Sequence, residues 1–389
     1  MALTTIQSNN KLVQYRKEII REYVRENLFS PYMGDELTSI IRLLYDQKKG
    51  GEQVNVPIVS RLNSRGKGVG TLVGNEERID NYGCRIYVDW ARNAVKTNKA
   101  EDQKDSADVF GIAKPLLSDW GKELQRDEII EALMAIPSEA APAGLGSDEG
   151  QRVNGILYQN ATAAQRNQWQ TDNNDRILFG ATTANLVAGN HASSLTNVDN
   201  AADLFTPDAV ALMKLLAKKA QPRIRPFQLK DGREYFVAFC SSLAFRDFSK
   251  AMQAINQNAR PRENLSGVGG APNNPIYQDG DEMYRGVIVR EVPEIDTYVD
   301  EVWTSLLTAG AGGTTRVNPV FLCGQSAVAM PYAQMPQPTI LNEDDYSFVE
   351  GAGIEMCYGV GKLFKKAPMD GTALKQWGIV SGFFASTAT

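Results

Sequence analysis

The chain has 389 residues, 43% of them apolar and 22% charged, with a formal net charge of −5. That length exceeds one ordinary domain, and the apolar content is enough for a sizeable core. The mild acidity argues against a sequence-reading nucleic-acid binder, which carries a basic excess. No run approaches the roughly 18 apolar residues of a membrane span, and the polar first residues lack a signal-peptide core.

In chain order, residues 11–28 read as an amphipathic helix, with Leu12, Tyr15, Ile19 and Tyr23 at three-to-four spacing. Its polar side carries two like-charged stripes, Lys17, Arg21, Arg25 and Glu18, Glu22, Glu26. Like charges at that spacing repel, so the stripes fit an arm that meets complementary charges on a neighbour. Pro31 and Gly34 end the arm, and a short apolar element follows at 36–45.

Residues 52–98 read as a long β-ribbon. Val54, Val56 and Ile58 share one face of the first strand, and Cys84, Ile86, Val88 and Trp90 share one face of the return. Between them residues 61–80 hold Gly66, Gly68, Gly70 and Gly74, far more chain than a hairpin turn needs. An isolated two-stranded ribbon is barely stable in water, so this one is expected to lie on another molecule. Arg61, Arg65 and Lys67 on its first half, and Glu76, Glu77 and Asp80 on the return, form a basic and an acidic patch.

A charged linker leads into a long helix ending near Ile136, with Leu116, Leu117, Trp120, Leu124, Ile129, Ile130 and Leu133 apolar and Pro115 a kink or restart. Residues 137–150 read as a small-residue linker, and 154–200 as Asn-rich helices and loops. Thr206, Pro207 and Asp208 start a helix that ends at Lys218 and Lys219. A second unit begins near Arg223, with strands at 235–240, 284–292, 317–323, 353–364 and 377–383. A helix with Phe245, Phe248, Met252 and Ile255 on one face follows the first strand, and an alanine-rich helix follows Cys323. Helices and strands interleave without regular βαβ repetition, which is an α+β pattern.

Catalytic chemistry finds little support. The single histidine, His191, sits in a polar Asn-rich stretch and reads as a solvated loop residue. Cys84, Cys240, Cys323 and Cys357 are scattered without a CxxC spacing and read as buried free thiols. The glycine clusters at 66–70 and 359–362 lack the phosphate-loop spacing and read as flexible backbone. The acidic clusters at 279–282 and 343–345 lack the calcium-loop pattern and read as solvated turns. No catalytic residue, cofactor or metal site is expected.

The ordered set of segments resembles the tailed-phage major capsid proteins of the HK97-like fold, in particular the phage N4-type family. Gly70-Thr71-Leu72-Val73-Gly74-Asn75-Glu76-Glu77, Ile86-Tyr87-Val88-Asp89-Trp90-Ala91-Arg92 and Leu117-Ser118-Asp119-Trp120 carry the first part of the likeness. Tyr235-Phe236-Val237-Ala238-Phe239, Gly286-Val287-Ile288-Val289-Arg290, Phe321-Leu322-Cys323-Gly324-Gln325 and Gln376-Trp377-Gly378-Ile379-Val380 carry the rest.

The resemblance implies an N-terminal arm (1–34), a connector (35–49), an extended loop or E-loop (50–98) and a peripheral domain (99–222) with a spine helix. It also implies an axial domain (223–375) and a C-terminal strand (376–389) that returns to the periphery. Its functional implication is a major capsid protein, not an enzyme, that assembles in the bacterial cytoplasm into hexamers and pentamers of an icosahedral virion head. Implied partners are sister copies, a separate scaffolding protein, a portal, cement proteins and nonspecifically contacted double-stranded DNA, with no membrane. The charged residues of arm and ribbon are then the expected inter-subunit contacts. Two alternatives remain: an encapsulin-like nanocompartment shell, and a soluble enzyme using carboxylates.

Overall fold

In the computed structural model the described residues are 27–45, 52–62, 64–103, 110–199, 201–228, 234–263, 281–309, 315–341, 346, 348–368 and 371–386. The arm's stripes (Lys17, Arg21, Arg25; Glu18, Glu22, Glu26) lie outside them, as do the acidic cluster 343–345 and residues 279–280 of the other acidic cluster.

The chain enters through β1 (Met33–Gly34) and β2 (Ile41–Leu44), then forms β3 (Gln53–Val59), β4 (Asn81–Tyr87) and β5 (Asp89–Asn98). Two helices follow, α1 (Lys99–Asp102) and α2 (Ala113–Met134), the second about 33 Å long. Pro115 falls in the first turn of α2, where its missing N–H has no intrahelical partner, so the helix restarts there rather than kinking. The Asn-rich stretch folds as α3 (Ala163–Asp172), β6 (Ile177–Phe179) and α4 (His191–Thr196). Thr162 and Gln165 close a reciprocal capping box on α3. Next comes α5 (Pro207–Lys219), whose cap is as expected: the Thr206 hydroxyl accepts the Ala209 N–H, with Pro207 at the first position.

The second half runs β7 (Phe227–Gln228), β8 (Glu234–Cys240), α6 (Ser242–Glu263), β9 (Asp281–Tyr284), β10 (Val287–Glu291) and α7 (Glu294–Glu301). The single strand expected at 284–292 is a hairpin, because Arg285 (φ 48) and Gly286 (φ 76) both adopt positive φ, as a two-residue primed turn requires. After β11 (Thr308–Ala309) and β12 (Thr315–Cys323) the chain continues as β13 (Val328–Ile340), not as a helix. The alanines there, Ala327 and Ala329, are wholly buried, so tertiary pairing overrides their helix propensity. The last strands are β14 (Val349–Tyr358), β15 (Gly361–Lys362), β16 (Phe364–Lys366), β17 (Leu374–Gln376) and β18 (Ile379–Ala385).

Two large sheets result. The first has order β1-β2-β13-β14-β5, with β15 on β13, and α2 packs across it. The second has order β6-β18-β12-β8-β10-β9. Alternate residues of its inner strands enter different cores. Val237 and Phe239, Phe321 and Cys323, and Ile379 and Phe383 join α2 in one. Phe236 and Ala238, Val320 and Leu322, and Val380 and Phe384 join α5 and α6 in the other. A sheet covered on both faces reads as continuous apolar runs, which is why β18 is buried at every position.

The sheets cut across the boundaries expected at 223 and 375. Residues 328–340 and 349–358 serve the first sheet, while β6 and the terminal β18 serve the second. One core, from Ile129, Ile130 and Leu133 to Val237 and Phe239, joins both sheets.

The ribbon is shorter than its sequence suggests. β3 and β4 pair from Gln53↔Tyr87 to Val59↔Asn81, but β5 leaves to pair with β14 from Asp89↔Tyr358 to Asn98↔Val349. The alternation therefore breaks after Val88. Trp90 is 48% exposed rather than sharing the buried face of Cys84 and Ile86, and Asp89 is buried.

Candidate subunit-contact surfaces

Val56, Ile58, Cys84 and Ile86 of the ribbon form a small apolar cluster with Ala329, Leu363 and Phe364 of the body. Tyr82 packs on Phe364, with ring centroids 6.0 Å apart, and its hydroxyl donates to Glu139 at 2.9 Å. Glu139 also receives Lys366 at 2.7 Å. Lys366, Tyr82 and Lys365, whose ammonium bonds Ser60, hold the ribbon base to its own chain. The ribbon strands are thus anchored at home, contrary to the expectation that a neighbour alone would order them.

The tip is different. Residues 61–79 are exposed throughout wherever they are described, including Leu62, Val69, Leu72, Val73 and Ile79. Arg61, Arg65, Lys67, Glu76 and Glu77 all stand there. The Glu77 carboxylate accepts the Ser64 N–H at 2.8 Å, tying the two limbs together. Gly66 and Gly74 turn at positive φ, 82° and 81°, which a side chain would strain. The tip therefore presents cations, carboxylates and apolar side chains to solvent at once.

The body holds the remaining candidates away from chemistry. His191 is not a solvated loop residue: it is 2% exposed, its Nε2 2.8 Å from the Tyr158 hydroxyl and its ring packed against Trp169, Phe179 and Phe383. Burial, with Arg166 adding to it, pulls its pKa down to about 3 and keeps it neutral. All four cysteines are buried, each in a strand, and burial pushes Cys84 and Cys323 up to about 12. The stretch 359–362 is buried rather than flexible, since a Cβ at Gly359 would meet the Tyr87 carbonyl oxygen. Lys362 is fully enclosed over the Trp169 ring, and burial brings its pKa down to about 7.

Along α2 a buried ionic cluster supports the first sheet. Arg152 Nε donates to Glu128 at 2.6 Å, and Arg126 lies 3.4 Å from Glu294. Burial pushes the Glu128 carboxyl up against the pull of Arg152, and burial together with Glu128 raises Glu131 to about 7. Among the described residues no cluster of three or more His, Cys, Asp or Glu could hold a metal ion, and no helix is long and apolar enough to cross a membrane.

The family described as "phage capsid protein" matches residues 3–380. The chain belongs to that family. Its solved relatives share the architecture from end to end. The cyanophage Pam1 capsid protein is 34% identical, covers 100% of both chains and superposes with a TM-score of 0.82. The capsid protein of Ralstonia phage GP4 is 15% identical over 100% of this chain and 99% of its own, with a TM-score of 0.67. That of Helicobacter pylori bacteriophage KHP40 is 12% identical over 98% and 96%, with a TM-score of 0.60. Among curated proteins none matches. The fold is thus the α+β HK97-like capsid fold, and this capsid protein self-associates into shell units. In this frame the anchored ribbon is the part of the capsid protein that leaves the body, and its exposed tip is the candidate contact.

Proposed function

We propose that this capsid protein is the major shell subunit of a phage head and that its ribbon is a strap. The shell encloses double-stranded DNA, and each tip is laid on an adjoining copy. The observation that carries this is the contrast within one ribbon: strands docked on the body through Phe364 and Glu139, and a tip exposing five large aliphatic residues beside exposed charged side chains. Isolated monomers seldom expose such a set without a partner for it.

Arg61, Arg65 and Lys67, with Glu76 and Glu77, then act as a basic and an acidic patch toward neighbours. Each exposed pair contributes only ~0–1 kcal/mol, so many weak pairs let misplaced subunits leave before the shell closes. The work of the protein is geometric and no reaction is assigned to it. Scaffolding, portal and cement proteins are its partners in this reading, and at a net charge of −5 its contact with packaged DNA is nonspecific and weak.

The test replaces residues 61–74 by a short Gly-Ser turn. The subunit should fold, as judged by circular dichroism, because the docked strands and both cores are untouched. Closed shells, counted by electron microscopy, should be lost. Shells of normal yield and stability from this variant would remove the strap role.

A further inference from the structure

A cleft of about 580 Å³ opens between the start of β5, the outer face of α2 and the loop at 144–152. Trp120 and Leu124 line it from α2 and the half-exposed Trp90 from β5, with the carboxylates of Asp148, Glu149 and Glu355 and the guanidinium groups of Arg92 and Arg152 also in its walls. The walls are fixed in place. The buried Asp89 carboxylate accepts the N–H groups of Gly146 and Gln151, each at 2.9 Å, and Arg152 Nη1 donates to the Trp90 carbonyl at 2.8 Å. Gly146 and Gly150 turn the loop at φ 72° and 69°, and a Cβ at Gly150 would meet the Trp90 carbonyl oxygen at 2.8 Å. A pre-shaped cleft of this kind loses little freedom when it is filled.

Its charge is negative. Arg152 is turned to Glu128, and Arg92 lies 4.0 Å from Glu355. Asp148 and Glu149 have no ion-pair partner among the described residues. Two tryptophans beside free carboxylates favour an occupant that is both cationic and apolar, with a guanidinium or ammonium over an indole face.

We propose that this cleft receives the basic limb of the ribbon tip, Arg61, Arg65 and Lys67 with Leu62 and Val69, from a second copy of the chain. The inference rests on the strap reading and supplies its acceptor. No residue of the tip lines the cleft of its own copy, and the ribbon base is pinned elsewhere, at Phe364 and Glu139. The limb carries cations with no acidic residue between positions 61 and 75, so its charge complements the rim. Packaged DNA is disfavoured as the occupant by the same carboxylates.

The test uses two full-length variants that differ in an affinity tag, Gly68→Cys in the tip and Ser147→Cys at the cleft. Both positions are exposed, and the native cysteines are buried and do not compete. Co-expressed and mildly oxidised, they should give a disulfide-linked dimer of the two different chains in assembled particles. Normal shells without that dimer would overturn the cleft and leave the shell reading standing; failure of the unsubstituted protein to form shells would overturn the shell reading itself. A charge swap reads the same contact without thiols. R65E/K67E should lower shell yield by about tenfold, and adding D148K/E149K should restore it. A loss that the swap does not restore would contradict the proposal.

Discussion

Phe364→Ala tests how the ribbon is held. Phe364 is 5% exposed and lies against Tyr82 within the cluster of Val56, Ile58, Cys84 and Ile86. A two-stranded ribbon is marginal alone, so its local stability is close to the free energy of docking that cluster. Burying one large aliphatic side chain contributes about 1.5–3 kcal/mol, which gives about 4.5–9 kcal/mol for Val56, Ile58 and Ile86 together. Emptying a buried phenylalanine site removes about 3–5 kcal/mol of it. At about 1.4 kcal/mol per decade, opening of the ribbon should become roughly a hundred to a few thousand times more frequent. The assay is amide hydrogen exchange by mass spectrometry on the unassembled subunit. Peptides covering 53–59 and 81–87 should lose protection by that factor, while peptides from 315–323 and 379–385 keep theirs, since those strands belong to other cores. Equal loss everywhere, or none in the ribbon, would refute the reasoning.

Other substitutions probe the body. Glu131 has a folded pKa of about 7, raised first by burial and then by Glu128, so the stability it contributes is full below its unfolded value and is lost as pH rises through 7. The urea midpoint should therefore fall between about pH 5 and pH 8, and Glu131→Gln should flatten that fall by on the order of 2 kcal/mol. Arg152→Met strands the buried Glu128 carboxylate and should lower stability by about 3–5 kcal/mol at pH 8 in urea titration, and by less as the pH falls, because burial already pushes that carboxyl toward its protonated form. Lys362, lowered to about 7 by burial, is penalised in full below that pH and progressively less toward its unfolded value of 10.5. Lys362→Met should accordingly raise the urea midpoint, most near about pH 6 and little near pH 10.

What could be read from the sequence was local. Thr206, Pro207 and Asp208 mark a helix start through backbone rules that need no tertiary partner, and they start α5. The alternation of Val54 to Ile58 and Cys84 to Ile86 marked the ribbon, and the glycines between them marked its tip. The strand after Cys323 was hidden because Ala327 and Ala329 are small and helix-favouring, and only their burial in the first sheet decides the matter. His191 looked solvated among asparagines, yet α3, β6 and β18 close on it from distant parts of the chain.

The cleft was equally hidden. Residues 137–150 read as a linker because their tether, Asp89, lies 57 residues before Gly146. In the sequence Trp90 continues the alternation of Cys84, Ile86 and Val88, and only the pairing of β5 with β14 buries Asp89 and leaves the indole outside. The stretch 359–362 teaches the same lesson. Glycine there serves close approach to Tyr87 and Asn154, not freedom of the backbone.

Electron cryomicroscopy of particles formed by the purified protein tests the central claim most directly. The expected result is a closed icosahedral shell in which residues 61–79 of each copy are covered by an adjoining one, with Trp90 and Trp120 at the contact. A discrete monomer at high concentration, or a shell whose ribbon tips all stand free in solvent, would contradict it.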